Sequence, residues 1–254
     1  SAGHDINYIG LAGPLAHIGR NGHPPSVPLN LVGDFGGGSL FLIAGILAAL
    51  VAVSNGNDGQ IIDAAMVDGA AYLASPLFSA YQSGFWSNQR GTNLLDSGAP
   101  FYDVYECKCG DFLATGAIEP QFYKQLLMGL GFDPDEIPPQ NDREHWRDTK
   151  DKFAARFLTK RRSEWLKIFE GTDACVSPVL NMGESYLRQH ARDRDSFFET
   201  CGVIQPKPAP RFSLTETEPS QESESLGQST SEILLSIGRS TDQINDYFAR
   251  GIVS

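Results

Sequence analysis

Asn30-Leu31-Val32-Gly33-Asp34-Phe35-Gly36-Gly37-Gly38-Ser39 runs directly into an apolar stretch from Leu40 to Val53, and the fold turns on how that junction is read. Three successive glycines predict a turn, and the uninterrupted apolar residues after them predict a helix. Ser54-Asn55-Gly56-Asn57-Asp58-Gly59 supplies the turn formers that end it. The stretch falls short of the roughly 20 residues that cross a bilayer, so a buried helix is expected and no membrane partner. Gln60-Ile61-Ile62-Asp63-Ala64 then has the pattern of a short strand. A helix feeding a strand predicts an α/β layer.

Outward from there the chain changes character. Residues 1–30 carry Gly, Pro and Asn at short intervals and predict loop with short ordered pieces. Residues 65–84 are Ala-rich and predict helix, and Gly84 to Pro100 predicts a connector. Tyr102 to Cys107 and Phe112 to Ala117 flank the turn Lys108-Cys109-Gly110-Asp111 as a β-hairpin would. Amphipathic helices follow to about residue 170, and Asp173 to Leu180 predicts a strand and turn. Residues 213–231 are a Ser/Thr/Glu tract with too little apolar content to repay ordering, so a mobile linker is expected. Beyond it, Ser229-x-x-Glu232 and Ser240-x-x-Gln243 have capping-box spacing, with Gly238 placed to stop the first of two short helices.

A formal net charge of −11 and the lack of a dense Lys/Arg run exclude nucleic acid as an expected partner. Lys160-Arg161-Arg162 reads as a solvated helix face, which places any phosphate site elsewhere. Cys107, Cys109, Cys175 and Cys201 lack zinc-site spacing and are expected to be reduced thiols of an intracellular protein, with no metal bound.

Three residues could do chemistry. His4 lies in a glycine-bounded loop, Gly3-His4-Asp5-Ile6-Asn7-Tyr8, and is either a surface histidine or a base. Asp34, just before the apolar helix, is either its N-cap or functional. Glu119, at a strand-to-helix junction in Gly116-Ala117-Ile118-Glu119-Pro120-Gln121-Phe122, has the same two readings. The glycines favour a functional site, because they let a backbone approach a ligand closely and could leave N–H groups facing negative charge. A nucleotide loop is disfavoured, since no Lys-Ser/Thr follows them.

Taken together these stretches resemble the α-methylacyl-CoA racemases of the family III CoA-transferase superfamily. The resemblance also runs through Asp63-Ala64-Ala65-Met66-Val67-Asp68-Gly69, Gly98-Ala99-Pro100-Phe101-Tyr102, Asp173-Ala174-Cys175-Val176-Ser177-Pro178-Val179, Pro208-Ala209-Pro210-Arg211 and Gly238-Arg239-Ser240, in chain order. It implies an α/β fold with a partial Rossmann-like large domain and a small α+β domain. The implied divisions are 1–64 in the large domain, 65–101 as linker helices, 102–190 as the small domain, 191–228 as a return linker, and 229–254 as helices packing on the large domain. Relative to the family pattern, the first third, with most of its CoA-nucleotide contacts, does not precede Ser1. The resemblance further implies an interlocked homodimer acting on an acyl-CoA thioester. In it His4 and Asp34 are the catalytic bases, Glu119 of a partner chain orients the histidine, and Gly3, His4, Asp5, Ile6, Asn7 and Tyr8 contact the acyl-CoA. Mitochondrion and peroxisome are the compartments usual for eukaryotic relatives.

Inverting a carbon beside a thioester needs a proton removed on one face and returned on the other, with the enolate stabilised between. Two different bases suit that task without any cofactor beyond the coenzyme A of the substrate. The Gly36–Gly38 backbone is the sequence's candidate for polarising the thioester oxygen. Two rivals stand beside this reading: a CoA-transferase with Asp34 as nucleophile, and an inactive fragment that only dimerises.

Overall fold

The computed structural model describes residues 2–215, 217 and 224–253. The chain separates into two compact units, Ser1–Val179 and Leu180–Ser254.

The first unit begins with a helical layer. Helix α1 (Asp5–Ala12) is followed by a 3-10 turn at Pro14–His17, a π-helix at Leu31–Ser39, α2 (Leu40–Ser54), α3 (Met66–Leu73) and α4 (Ser75–Gln82). Ile9 and Ala12 of α1 and Ala70 of α3 make its small buried core. The π-helix lies against α3 at a glycine crossing. A Cβ on Gly69 would stand 1.8 Å from the Gly37 carbonyl oxygen, and one on Gly37 would stand 2.6 Å from the Ala70 nitrogen.

A second layer follows the connector, whose hub is the fully buried Asn93. Its side chain accepts from Ser87 N–H at 2.7 Å and donates to Asp96 Oδ2 at 2.7 Å. Strands β1 (Tyr102–Glu106), β2 (Phe112–Gly116) and β3 (Val176–Pro178) form an antiparallel sheet in the order β1-β2-β3, with Tyr105 opposite Leu113 and Ala114 opposite Ser177. Pro at the first position starts α5 (Pro120–Leu130), and Gly131 at φ 73° ends it in the left-handed conformation that favours glycine. With α6 (Trp146–Phe157) and α7 (Arg162–Phe169) it covers the sheet. The core is aromatic: Tyr105 stacks on Phe157 at 4.9 Å and Phe132 on Phe153 at 5.7 Å, around the buried Trp165. Asp103, buried on β1, is neutralised by Arg20 at 2.9 Å and Lys150 at 2.8 Å, a pairing that a buried carboxylate requires.

The second unit holds α8 (Met182–Ser185), α9 (Gln189–Asp193), the hairpin β4 (Phe197–Thr200) to β5 (Val203–Pro206), α10 (Thr230–Ser236) and α11 (Thr241–Ala249). Ser240 forms its expected capping box with Gln243, and Gly238 ends the preceding turn at φ 81°. Ser229 forms none, because its hydroxyl bonds Glu224 instead. Part of the Ser/Thr/Glu tract, at 216 and 218–223, lies outside the described residues.

Several expectations need correction. Residues 60–64 are extended but unpaired, with Ile61 exposed, because among the described residues no strand precedes Tyr102 to bond them. Helix α2 is not buried: Leu47, Leu50 and Val51 are each about 60% exposed. The π-helix and α2 join into one helix of 24 residues, Leu31–Ser54, with a mean hydropathy of 2.2 over its most apolar window. By length and composition that is enough to cross a membrane, unlike the short stretch expected. Lys160-Arg161-Arg162 is not a solvated helix face either. Lys160 lies over Trp165, Arg161 caps α7, and Arg162 donates to the Val179 carbonyl.

Candidate active site

Gly3 and His4 are non-helical as expected, but Asp5 to Tyr8 is the first half of α1 and not a loop. His4 is the N-cap of α1: its carbonyl accepts from Asn7 N–H at 2.9 Å, and its own N–H donates to Asn7 Oδ1 at 3.0 Å. Tyr8 folds back over Gly3, where an added Cβ would meet the ring at 3.2 Å. The cap leaves the His4 side chain exposed at the positive end of the helix.

Asp34 caps nothing. It sits inside the π-helix, half-buried, where Asn30 Nδ2 donates to its Oδ2 at 3.1 Å and Ser39 Oγ to its carbonyl at 2.9 Å. π-Helical turns are rare and frequently mark functional sites. The same geometry removes the Gly36–Gly38 backbone as an oxyanion site, because N–H groups inside a π-helix bond the carbonyl five residues back. Gly37 serves the crossing with α3, and Gly36 lies against Leu73, where a Cβ would stand 3.2 Å from Cδ1.

What joins the two regions is Asp5. Its buried carboxylate accepts the N–H of Gly33 at 2.7 Å and the N–H of Asp34 at 2.8 Å through the same oxygen, Oδ2. The residue after His4 thus holds the backbone of Asp34, so the start of α1 and the first turn of the π-helix are tied together by the Asp5 carboxylate. The sequence reading placed Asp5 only among substrate contacts. No spacing rule finds such a clamp, since its partners are backbone groups remote in the chain.

Glu119 is the N-cap residue of α5, yet its side chain makes no capping hydrogen bond and is exposed. Its nearest electrostatic consequence is on Cys175, whose thiol is pushed up by burial first and then by Glu119 and Asp173. Among the described residues, neither a hydrogen bond nor an ion pair joins Glu119 to His4. Two apolar hollows of about 480 and 530 Å³ share Pro14, His17, Ala74, Leu77 and Trp86, and neither is lined by His4, Asp34 or Glu119. Among the described residues, no group of three or more His, Cys, Asp or Glu side chains is placed to hold a metal.

The sequence pattern of CoA-transferase family III matches residues 1–230. The chain belongs to this family. It is 47% identical over 245 residues to α-methylacyl-CoA racemase of Mus musculus and 46% identical over 245 residues to that of Homo sapiens. Each match covers 96% of the chain and 64% of the relative, so the chain spans just under two thirds of the length of either enzyme. A CAIB/BAIF family protein from Brucella suis shares the fold, with a TM-score of 0.74 at 17% identity over 93% of this chain and 63% of that one. The mixed α/β architecture with small sheets is therefore that of the family.

Proposed function

We propose that the chain carries the proton-transfer centre of an α-methylacyl-CoA racemase, with His4 and Asp34 as opposed acid and base on the two faces of the α-carbon of a 2-methylacyl-CoA thioester. The observation that carries this reading is the Asp5 contact, which brings the segment bearing the carboxylate to the helix start bearing the imidazole. One side chain removes the α-proton and leaves an enolate. The other, already protonated, delivers a proton to the opposite face, and the roles exchange with direction. With the Gly36–Gly38 backbone engaged elsewhere, the positive end of α1, beside His4, is the group offered for the enolate oxygen.

An enolate must be shielded from water, yet both His4 and Glu119 are exposed on this chain. A second copy supplying Glu119 to His4 would close the site, orient the imidazole and cover apolar surface of α2, which makes a homodimer part of the proposal. The substrate brings its own coenzyme A, and the two-base step uses no further cofactor. Mitochondrion or peroxisome follows as the compartment, on the racemase likeness alone.

The test is α-deuteration of a 2-methylacyl-CoA in deuterated water. The unsubstituted chain should take up label, and His4→Ala and Asp34→Ala should each lose about 10²–10⁴-fold in rate. If His4→Ala spares the transfer of coenzyme A to a free acid while Asp34→Ala abolishes it, Asp34 is a nucleophile and the protein a CoA-transferase. A chain that dimerises but does neither is an assembly module only.

A further inference from the structure

Three carboxylates are buried among the described residues, and two of them have plain explanations. Asp103 meets two cations, and Asp96 ties the connector loop by accepting from Gly91 and Asn93. Asp5 differs. It is only 5% exposed, no cation pairs with it among the described residues, and its Oδ1 is buried without a hydrogen-bond partner. Burying a carboxylate this way is costly unless backbone donors hold it, and Oδ2 spends its whole capacity on the N–H groups of Gly33 and Asp34. The approach is so close that a Cβ on Gly33 would stand 2.6 Å from Oδ2 and 3.0 Å from Met66 Sδ. A glycine at 33 is therefore a condition of the contact.

We propose that Asp5 is a positioning residue that locks the first turn of the π-helix against the start of α1 and so sets where the Asp34 carboxylate stands relative to the His4 imidazole. Its carboxylate is committed to the backbone and touches no reacting atom. The catalytic consequence rests on the two-base reading above, whereas the clamp itself does not. A side chain on one reacting segment that grips the backbone of the other couples their positions, and a shift of about 1 Å between reacting groups can cost on the order of 10²-fold in rate.

The experiment uses the full chain and two readouts. Backbone amide exchange should show Gly33 and Asp34 protected in the unsubstituted protein and at least about tenfold faster in Asp5→Ala, with the β1–β2 hairpin amides unchanged. Asp5→Asn keeps one acceptor oxygen and should restore part of that protection. Gly33→Ala attacks the contact from the other side and should mimic Asp5→Ala, which covers the case in which the alanine variant does not fold. In α-deuteration, kcat should fall in Asp5→Ala and Gly33→Ala with KM little changed, and Asp5→Asn should recover part of the loss. Unchanged protection of the two amides in Asp5→Ala and Gly33→Ala overturns the clamp. Lost protection with unchanged kcat overturns its catalytic role. If the unsubstituted chain takes up no label, the two-base reading fails, and amide exchange still decides the clamp.

Discussion

At the scale of single residues, the helical layer is set by glycines packed directly on backbone, Gly37 on Ala70 and Gly69 on Gly37. His4, Asp34 and Glu119 stand out by residue type and setting, but the work of Gly33, Gly37 and Gly69 does not, because what a missing side chain admits depends on a neighbour far along the chain. Gly37 meets Gly69 and Ala70 about thirty positions on, and no local pattern names that partner. A methyl at 69 would fall 1.8 Å from a carbonyl oxygen of rigid backbone. Gly69→Ala should therefore cost about 1–3 kcal/mol, read as a lower urea midpoint, and force the π-helix away from α3. A substitution at Gly110, where nothing lies within 4 Å, meets no such clash and differs only by its positive φ of 78°. At Glu119 the capping explanation loses weight, since the side chain makes no cap bond. Glu119→Gln should leave stability within about 0.5 kcal/mol of the parent while lowering α-deuteration, a split that calorimetry and kinetics together would register.

At the scale of elements, the hairpin and the helices of the sheet layer were legible because each carries its own period and its own stop. Tyr102 to Cys107 alternates, Lys108 to Asp111 turns, and Gly131 ends α5. The short run at 60–64 is strand-like in composition, yet a strand is a relation between two segments and, among the described residues, this one has no neighbour to bond. The apolar helix was legible as a helix but not as an exposed one, since composition tells what a segment would bury and not what is there to bury it. The sheet layer also titrates in a readable way. Burial, then Asp111, pushes the Cys107 thiol up to about 11 from 9.0, and burial pushes Tyr123 up to about 12 from 10.0. Burial first and Asp103 second raise Tyr105 further still. All three stay protonated in the fold at a pH where the unfolded chain has lost the proton. Their stabilising share is complete below about pH 9 and is lost as pH climbs toward about 12. Urea midpoints at about pH 8 and pH 10.5 should differ, with the alkaline one lower. Phe153→Ala, in the centre of the same aromatic stack, should cost about 3–5 kcal/mol by the same measurement.

At the scale of the whole molecule, the family pattern ran through the chain in order, while the packing around α2 could not be read at all. A helix with eight large apolar side chains at 43–64% exposure leaves a broad greasy face. The chain should self-associate with rising concentration, and replacing Leu47 and Leu50 by glutamate should shift sedimentation toward the monomer without changing the near-ultraviolet spectrum of the aromatic layer. The pairing of Asp103 points the other way, toward unity. Its two counter-cations arrive from residue 20, on the helical layer's side, and residue 150, on the sheet's own cover, so loosening the helical layer leaves a buried carboxylate with Lys150 alone. Heat should thus melt residues 1–179 as one cooperative block rather than peel one layer from the other, and Arg20→Met should split that single calorimetric peak into two.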